Sequence, residues 1–159
     1  MLWKYIATFL ISMVPILELR GAIPWATFVG VPPVHAYIIA VIGNMLPVPF
    51  IYFFARKVLV WGKDKKYIGK FFTTCLEKGH KGGEKLKGKT GWGLFIGLML
   101  FVGIPLPGTG AWTGTMVASF LDVGFRKSSI AVMLGVIFAG IIMALASAGI
   151  FGALGALFT

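Results

Sequence analysis

Charge is scarce in this sequence. Asp, Glu, Lys and Arg make up 13% of its 159 residues, where a soluble domain carries about a quarter, and the shortfall argues against an ordinary water-soluble chain. Acidic groups are the scarcest, with five Asp and Glu against 15 Lys and Arg and a formal net charge of +10. A single cysteine, Cys75, excludes an internal disulfide, and its place in the most basic segment suits a reducing cytoplasmic face. The two histidines, His35 and His80, have no Cys or carboxylate cluster beside them in sequence, so no metal site is expected. No cofactor is called for. No stretch remains for a soluble catalytic domain, so the chain is not expected to be an enzyme.

What is present is apolar. Hydrophobic side chains make up 58% of the sequence and the mean hydropathy is +0.91, which reads as an integral membrane protein of one domain. The 22 glycines and eight prolines fall largely within or beside the apolar runs, as expected where membrane helices pack closely or break. The N-terminus has no small-residue cleavage site before Pro15 and reads as retained structure, not a signal peptide.

Span length sorts these runs. A helix needs about 20 apolar residues to cross a hydrocarbon core of about 30 Å. Runs 2–17, 21–33, 91–104 and 111–121 fall short, whereas 34–55 and 128–158 can cross, the latter with tilt or a break at its glycines. Short apolar pairs joined by Pro, Gly and polar residues predict hairpins that enter the membrane and return, the first turning at ELRG and the second at PLPGTG. Non-helical backbone at that depth must be covered by protein or line a watery cavity, so the two tips are expected to meet. HAYIIAVIGN resembles SSIAVMLGV, and RGAIPW and TGAWTG hold similar places, which suggests an internal repeat. The expected fold is all-α and membrane-embedded, an inverted repeat of a re-entrant helical hairpin plus one transmembrane helix. Residues 1–55 form the first repeat (hairpin 2–33, span 34–55), 56–90 a basic amphipathic loop or helix, and 91–159 the second repeat (hairpin 91–121, span 128–158).

Most basic residues lie between Arg56 and Lys89, which places that segment in the cytoplasm and both termini outside, for a multi-pass protein of the cytoplasmic (inner) membrane. The halves then run in opposite directions, as in secondary transporters whose sites lie at broken helices near the midplane.

Glu18 and Arg20 stand at the first tip. An ionised side chain at mid-bilayer costs a few kcal/mol on insertion scales, so such groups commonly face a cavity and mark a pathway. The alternative is a structural ion pair. Two residues apart, they converge only where the helix unwinds, and Pro15 and Gly21 bracket that place. If the returning helices begin at Gly21 and Ala111, their N–H groups and positive dipole ends face the midplane and suit an anion. Arg20 favours the same choice, whereas an ionised Glu18 opposes it. A Glu18 that exchanges its proton on substrate binding would give proton coupling. Around this pair the candidate binding residues are Gly21, Trp25, Asn44, Pro107, Gly108, Thr109, Gly110, Trp112 and Thr113, with Asn44 and the threonines as polar lining and Trp25 and Trp112 as walls. Asp122 and Arg126, four apart at the second hairpin's exit, read as a cap and surface pair. Small residues recur at Gly140, Ala144, Ala148, Gly152 and Ala156, and more briefly at Ala36, Ala40 and Asn44; both ridges predict close helix packing. The thin bundle is compatible with a homodimer.

In the basic segment, 65–78 places Tyr67, Ile68, Phe71, Phe72, Cys75 and Leu76 on one helical face among lysines, which describes a helix lying on anionic lipid headgroups. Nucleic-acid binding is the weaker reading, because positive-inside bias already accounts for the charge. GEKLKGKT matches the phosphate-loop pattern letter for letter, yet no strand precedes it and no nucleotide-binding domain fits around it, so the match is coincidental.

Taken together, ILELRGAIPWA, GNMLPVPF and PLPGTGAWTG resemble the small multidrug export family, itself related to the DedA membrane proteins with paired re-entrant hairpins. The resemblance covers nearly the whole chain outside the basic loop and implies the inverted re-entrant fold. DedA relatives are associated with moving polyprenyl-phosphate carriers or phospholipids, and Glu18 matches their membrane acid in kind. The expectation is a secondary transporter of a small organic substrate, with a lipid-carrier translocase or a non-transporting membrane scaffold as alternatives.

Overall fold

The computed structural model describes residues 1–64, 69, 70, 73, 77, 91–106 and 108–157. Among them the chain is helix and turn, with no strand. The elements are α1 (Leu2–Met13), α2 (Glu18–Phe28), α3 (Pro33–Met45), α4 (Val48–Lys63), α5 (Gly91–Gly103), α6 (Ala111–Phe120) and α7 (Phe125–Leu157).

Proline sets most of the boundaries. α1 stops at Val14, whose extended backbone (φ −74°, ψ 131°) is what a following Pro15 demands. α3 carries Pro33 in its first turn, where a missing N–H costs nothing, and α4 starts in the same way after Pro47. The first turn therefore falls at 14–17, one step before the expected ELRG, and Glu18 and Arg20 open the returning helix instead of forming the bend. The first long segment also differs from the expectation. It is stepped at Leu46 and Pro47, and α4 carries it on to Lys63, past the expected end at Ala55. The last segment is one unbroken helix despite its glycines. Pro33–Gly62 and Phe125–Ile150 are long and apolar enough to cross a membrane. The surface bears many exposed large apolar side chains, Phe50, Phe54, Leu145 and Ile150 among them, as suits lipid contact.

α1, α2 and α3 pack on one another, and so do α5, α6 and α7; α2 and α3 lie against α7, and α4 against α6 and α7. Corresponding details recur in the two groups. Gly43 of α3 presses on the Phe9 carbonyl and Ser12 of α1, while Gly135 of α7 presses on the Met99 carbonyl and Val102 of α5. α2 and α6 end in the same cap, with bonds from Val31 N to Ala26 O and Gly30 N to Thr27 O in one, and from Val123 N to Ala118 O and Asp122 N to Ser119 O in the other. The left-handed residue each cap needs is Gly30 (φ 80°) and Asp122 (φ 54°) at matching positions.

The first long segment and α7 run antiparallel: Tyr37 meets Ile137 and Gly140, whereas Tyr52 meets Val123 and Phe125. The core between the groups holds Leu19, Ala22, Ile23, Ala40, Val48, Val102, Val132 and Val136. The small-residue ridges divide. Ala36, Ala40 and Asn44 are fully buried, and Gly140 packs on Tyr37 and Leu19, but a Cβ at Gly152 would meet none of the described residues.

Candidate functional site

The two tips meet through backbone and charge. α6 begins at Ala111 with Gly110 as its N-cap, and no side chain of its own caps it. The Glu18 carboxylate does so from the other hairpin, with Oε2 accepting from Ala111 N at 3.2 Å and Oε1 from Trp112 N at 3.1 Å. Free N–H groups and the positive end of the dipole make a helix start a natural place for an anion. The anion foreseen for this tip is thus the protein's own Glu18, 4% exposed. Its backbone is left-handed (φ 48°), a costly conformation for Glu that the surrounding contacts must hold. Gly110 lies against the carboxylate with no room for a Cβ.

Arg20 takes the opposite pole. Its Nη1 donates to Leu106 O, and its Nη2 to Thr109 Oγ1 at 3.0 Å and Ile104 O at 3.3 Å, with Val102 O at 3.5 Å. Val102 is in the last turn of α5, where carbonyls lack partners and the dipole is negative. Two opposite charges on one turn of α2 therefore neutralise the two ends of the break between α5 and α6. The alternative of a direct Glu18 to Arg20 ion pair is not what forms, because among the described residues the ion pair is Arg56 to Asp122.

The other expected residues sit as follows. Thr109 accepts from Arg20, and its hydroxyl lies 2.9 Å from both Ile104 O and Leu106 O. Gly108 is left-handed (φ 81°) within the bend. Gly21 lies in the first turns of α2, and Thr113 is half-buried on α6. Trp112, besides its backbone bond to Glu18, donates its indole N–H to Met13 O at 3.1 Å and so ties the end of α1 to the site. Trp25 is not brought to this tip: it stacks edge-on with Trp3, ring centres 6.2 Å apart, near the other end of α1. Asn44 is fully buried, and neither of its side-chain polar atoms has a hydrogen-bond partner among the described residues. Pro107, Cys75, His80, the phosphate-loop look-alike and most of 65–78 lie outside the described residues.

Thr115 escaped the sequence reading. It is fully buried on α6, and its hydroxyl has no partner among the described residues. Its spacing of four from Ala111 on a face of small residues was the available signal. Tyr52 escaped as well. Its hydroxyl donates to Val123 O, and its carbonyl accepts from Ser119 Oγ at 2.8 Å. Asp122 pairs with Arg56 at 2.6 Å.

Glu18 and Arg20, the second tip and the facing parts of the long helices lie inside a single family match, which runs over residues 18–142 and carries the description "Putative small multi-drug export protein". The chain belongs to that family. As a member of the small multi-drug export family with two helices fit to cross a bilayer, it is a membrane protein. The match opens on Glu18 itself, so α1 stands outside it although it packs on α2 and α3. No curated protein and no solved structure matches the chain.

Proposed function

We propose that this protein is a secondary-active transporter of a small organic molecule, with its site between two re-entrant hairpin tips near the bilayer midplane and Glu18 as its proton-exchanging group. The observation that carries the reading is the Glu18 carboxylate, buried and held by two N–H groups of the opposite hairpin. Protonation would turn one accepting oxygen into a donor facing an N–H, breaking half of the cap and loosening one tip from the other. A proton could in this way be exchanged for movement between halves. Export as the direction of transport follows the family description.

The matched glycine contacts and caps and the antiparallel long helices support an inverted repeat, the architecture that alternating access commonly uses. The orientation proposed is the one charge asymmetry gives, in the inner membrane with 56–90 in the cytoplasm, and 65–78 resting on anionic headgroups. A homodimer would use the exposed end of the α7 ridge around Gly152.

The test is proton release from reconstituted protein on adding a panel of small cationic, anionic and neutral organic compounds, with Glu18→Gln alongside. Release in the wild type that is absent in the variant supports the reading. Substrate binding without release refutes the coupling and leaves Glu18 as a cap. A second reading, translocation of a lipid-linked carrier, is favoured by an apolar groove open at the side of the bundle; it predicts rescue of cell-envelope defects by wild type and not by Arg20→Ala.

A further inference from the structure

A groove of about 470 Å³ opens along the far end of α4, lined by Phe53, Arg56, Lys57, Val60, Trp61 and Asp64. Its depth follows from helix length. Pro33–Gly62 has 30 residues, or about 45 Å of helix at about 1.5 Å each, against a hydrocarbon core of about 30 Å, so its last turns reach the headgroups. α4 is pinned at this level, since Arg56 pairs with Asp122 at 2.6 Å and the Phe53 ring lies 4.9 Å from that of Phe125 at the start of α7. The groove's charges are balanced yet not joined. Asp122 neutralises Arg56, which leaves Lys57 and Asp64 as the cation and anion of the groove. Both are exposed, and among the described residues the ion pair is Arg56 to Asp122, so Lys57 and Asp64 do not pair with each other. Seven residues apart, they share a helix face about two turns, or about 10 Å, from one another.

We infer that this groove is a site for a zwitterionic, amine-bearing phospholipid of the surrounding bilayer, with its phosphate on Lys57, its ammonium on Asp64 and the start of its chains against Phe53. The order of groups along α4 matches the order in such a lipid. Moving outward from the step at Pro47, the groove presents an apolar ring at Phe53, cations at Arg56 and Lys57, and a carboxylate at Asp64. A headgroup that is only anionic would satisfy Lys57 and set like charge against Asp64, and one that is only cationic would do the reverse, whereas a zwitterion answers both. Val60 and Trp61 stand between the two charges, and an indole is at home at headgroup level. Pockets with basic side chains at this level of a membrane bundle commonly hold lipid phosphates. The site is separate from 65–78, and the inference does not depend on transport.

The experiment offers the purified protein in mild detergent an equal mixture of phosphatidylethanolamine and phosphatidylglycerol with identical chains, and counts the complexes by native mass spectrometry. Phosphatidylethanolamine is expected to be retained at least about threefold over phosphatidylglycerol. Asp64→Asn should bring that ratio to about one or below, because the ammonium loses its partner, while Lys57→Gln should lower retention of both lipids. Both side chains are exposed, so neither variant is expected to disturb folding, and the unfolding midpoint checks this. Glu77→Gln removes a carboxylate that does not line the groove and should leave the ratio unchanged. Soluble phosphoethanolamine at the same concentration should displace neither lipid, because it lacks the chains that Phe53 would hold. Equal or greater retention of phosphatidylglycerol by the wild type overturns the inference. So does a ratio that survives Asp64→Asn, or one that falls as far in Glu77→Gln, since surface charge in general would then set the preference. Displacement by soluble phosphoethanolamine overturns the assignment to a bilayer lipid.

Discussion

Gly110 and Glu18 lie so close that a Cβ on Gly110 would come within 2.0 Å of the Glu18 carboxylate. Gly110→Ala must therefore push the carboxylate off the start of α6. A loss of about 1 to 3 kcal/mol is expected, the usual penalty of overpacking. Gly124→Ala, where the added carbon meets none of the described residues, should leave the unfolding midpoint in detergent unchanged.

Glu18→Gln retains the shape but points an amide NH2 at one of the two N–H groups it must face. One bond is lost and one donor left buried, at a cost of about 1 to 3 kcal/mol. Glu18→Ala should cost more, because both N–H groups lose their partner. Thermal unfolding of the pair side by side tests the order.

Arg20 spans several carbonyls and a hydroxyl with a planar fork, which an ammonium cannot copy. Arg20→Lys is expected to destabilise by about 1 to 3 kcal/mol and Thr109→Val by about 1 kcal/mol. A double-mutant cycle of Arg20→Lys with Thr109→Val should give a coupling of about 0.5 kcal/mol or more, since the two share a bond. Strict additivity would show that Arg20 acts through the carbonyls alone.

At the other end of α6, the Arg56 and Asp122 side chains are 51% and 31% exposed. Exposed pairs contribute about 0 to 1 kcal/mol, so Arg56→Ala should change stability little. Tyr52→Phe, which removes a buried bond to Val123 O, should cost about 1 kcal/mol. Asp122→Gly relieves a left-handed backbone while losing the pair and should fall within about 1 kcal/mol of wild type. A large loss would mean that the pair matters more than its exposure implies.

The small-residue ridge of α7 should behave as two parts. Gly140→Val collides with Tyr37 and Leu19 and is expected to destabilise the monomer, whereas Gly152→Val meets nothing among the described residues. Crosslinking of the Gly152→Val protein in membranes then reports directly on contacts between copies.

Much of this was visible in the residues. The four short apolar runs became separate short helices, because run length and the positions of Pro and Gly act locally. Proline also placed the start of α3 within a residue, whereas α1 stops at Met13, four residues before the Leu17 that closes its apolar run. The step at Leu46 and Pro47 carried the same signal, yet it was read through as one span because hydropathy does not change across it. Glu18 and Arg20 stood out as charges in an apolar setting, and the meeting of tips followed from the need to cover broken backbone.

What the sequence by itself determined, then, is where charge is out of place and where helices stop, since both depend on side-chain type and near neighbours. What only the tertiary structure decided is the partner of each charge. Glu18 is held by N–H groups of Ala111 and Trp112, and Arg20 largely by carbonyls near the end of α5. Nearly every residue carries those groups, so residue type could not single them out. Their direction exists only once α5 and α6 break and the first hairpin packs against the gap.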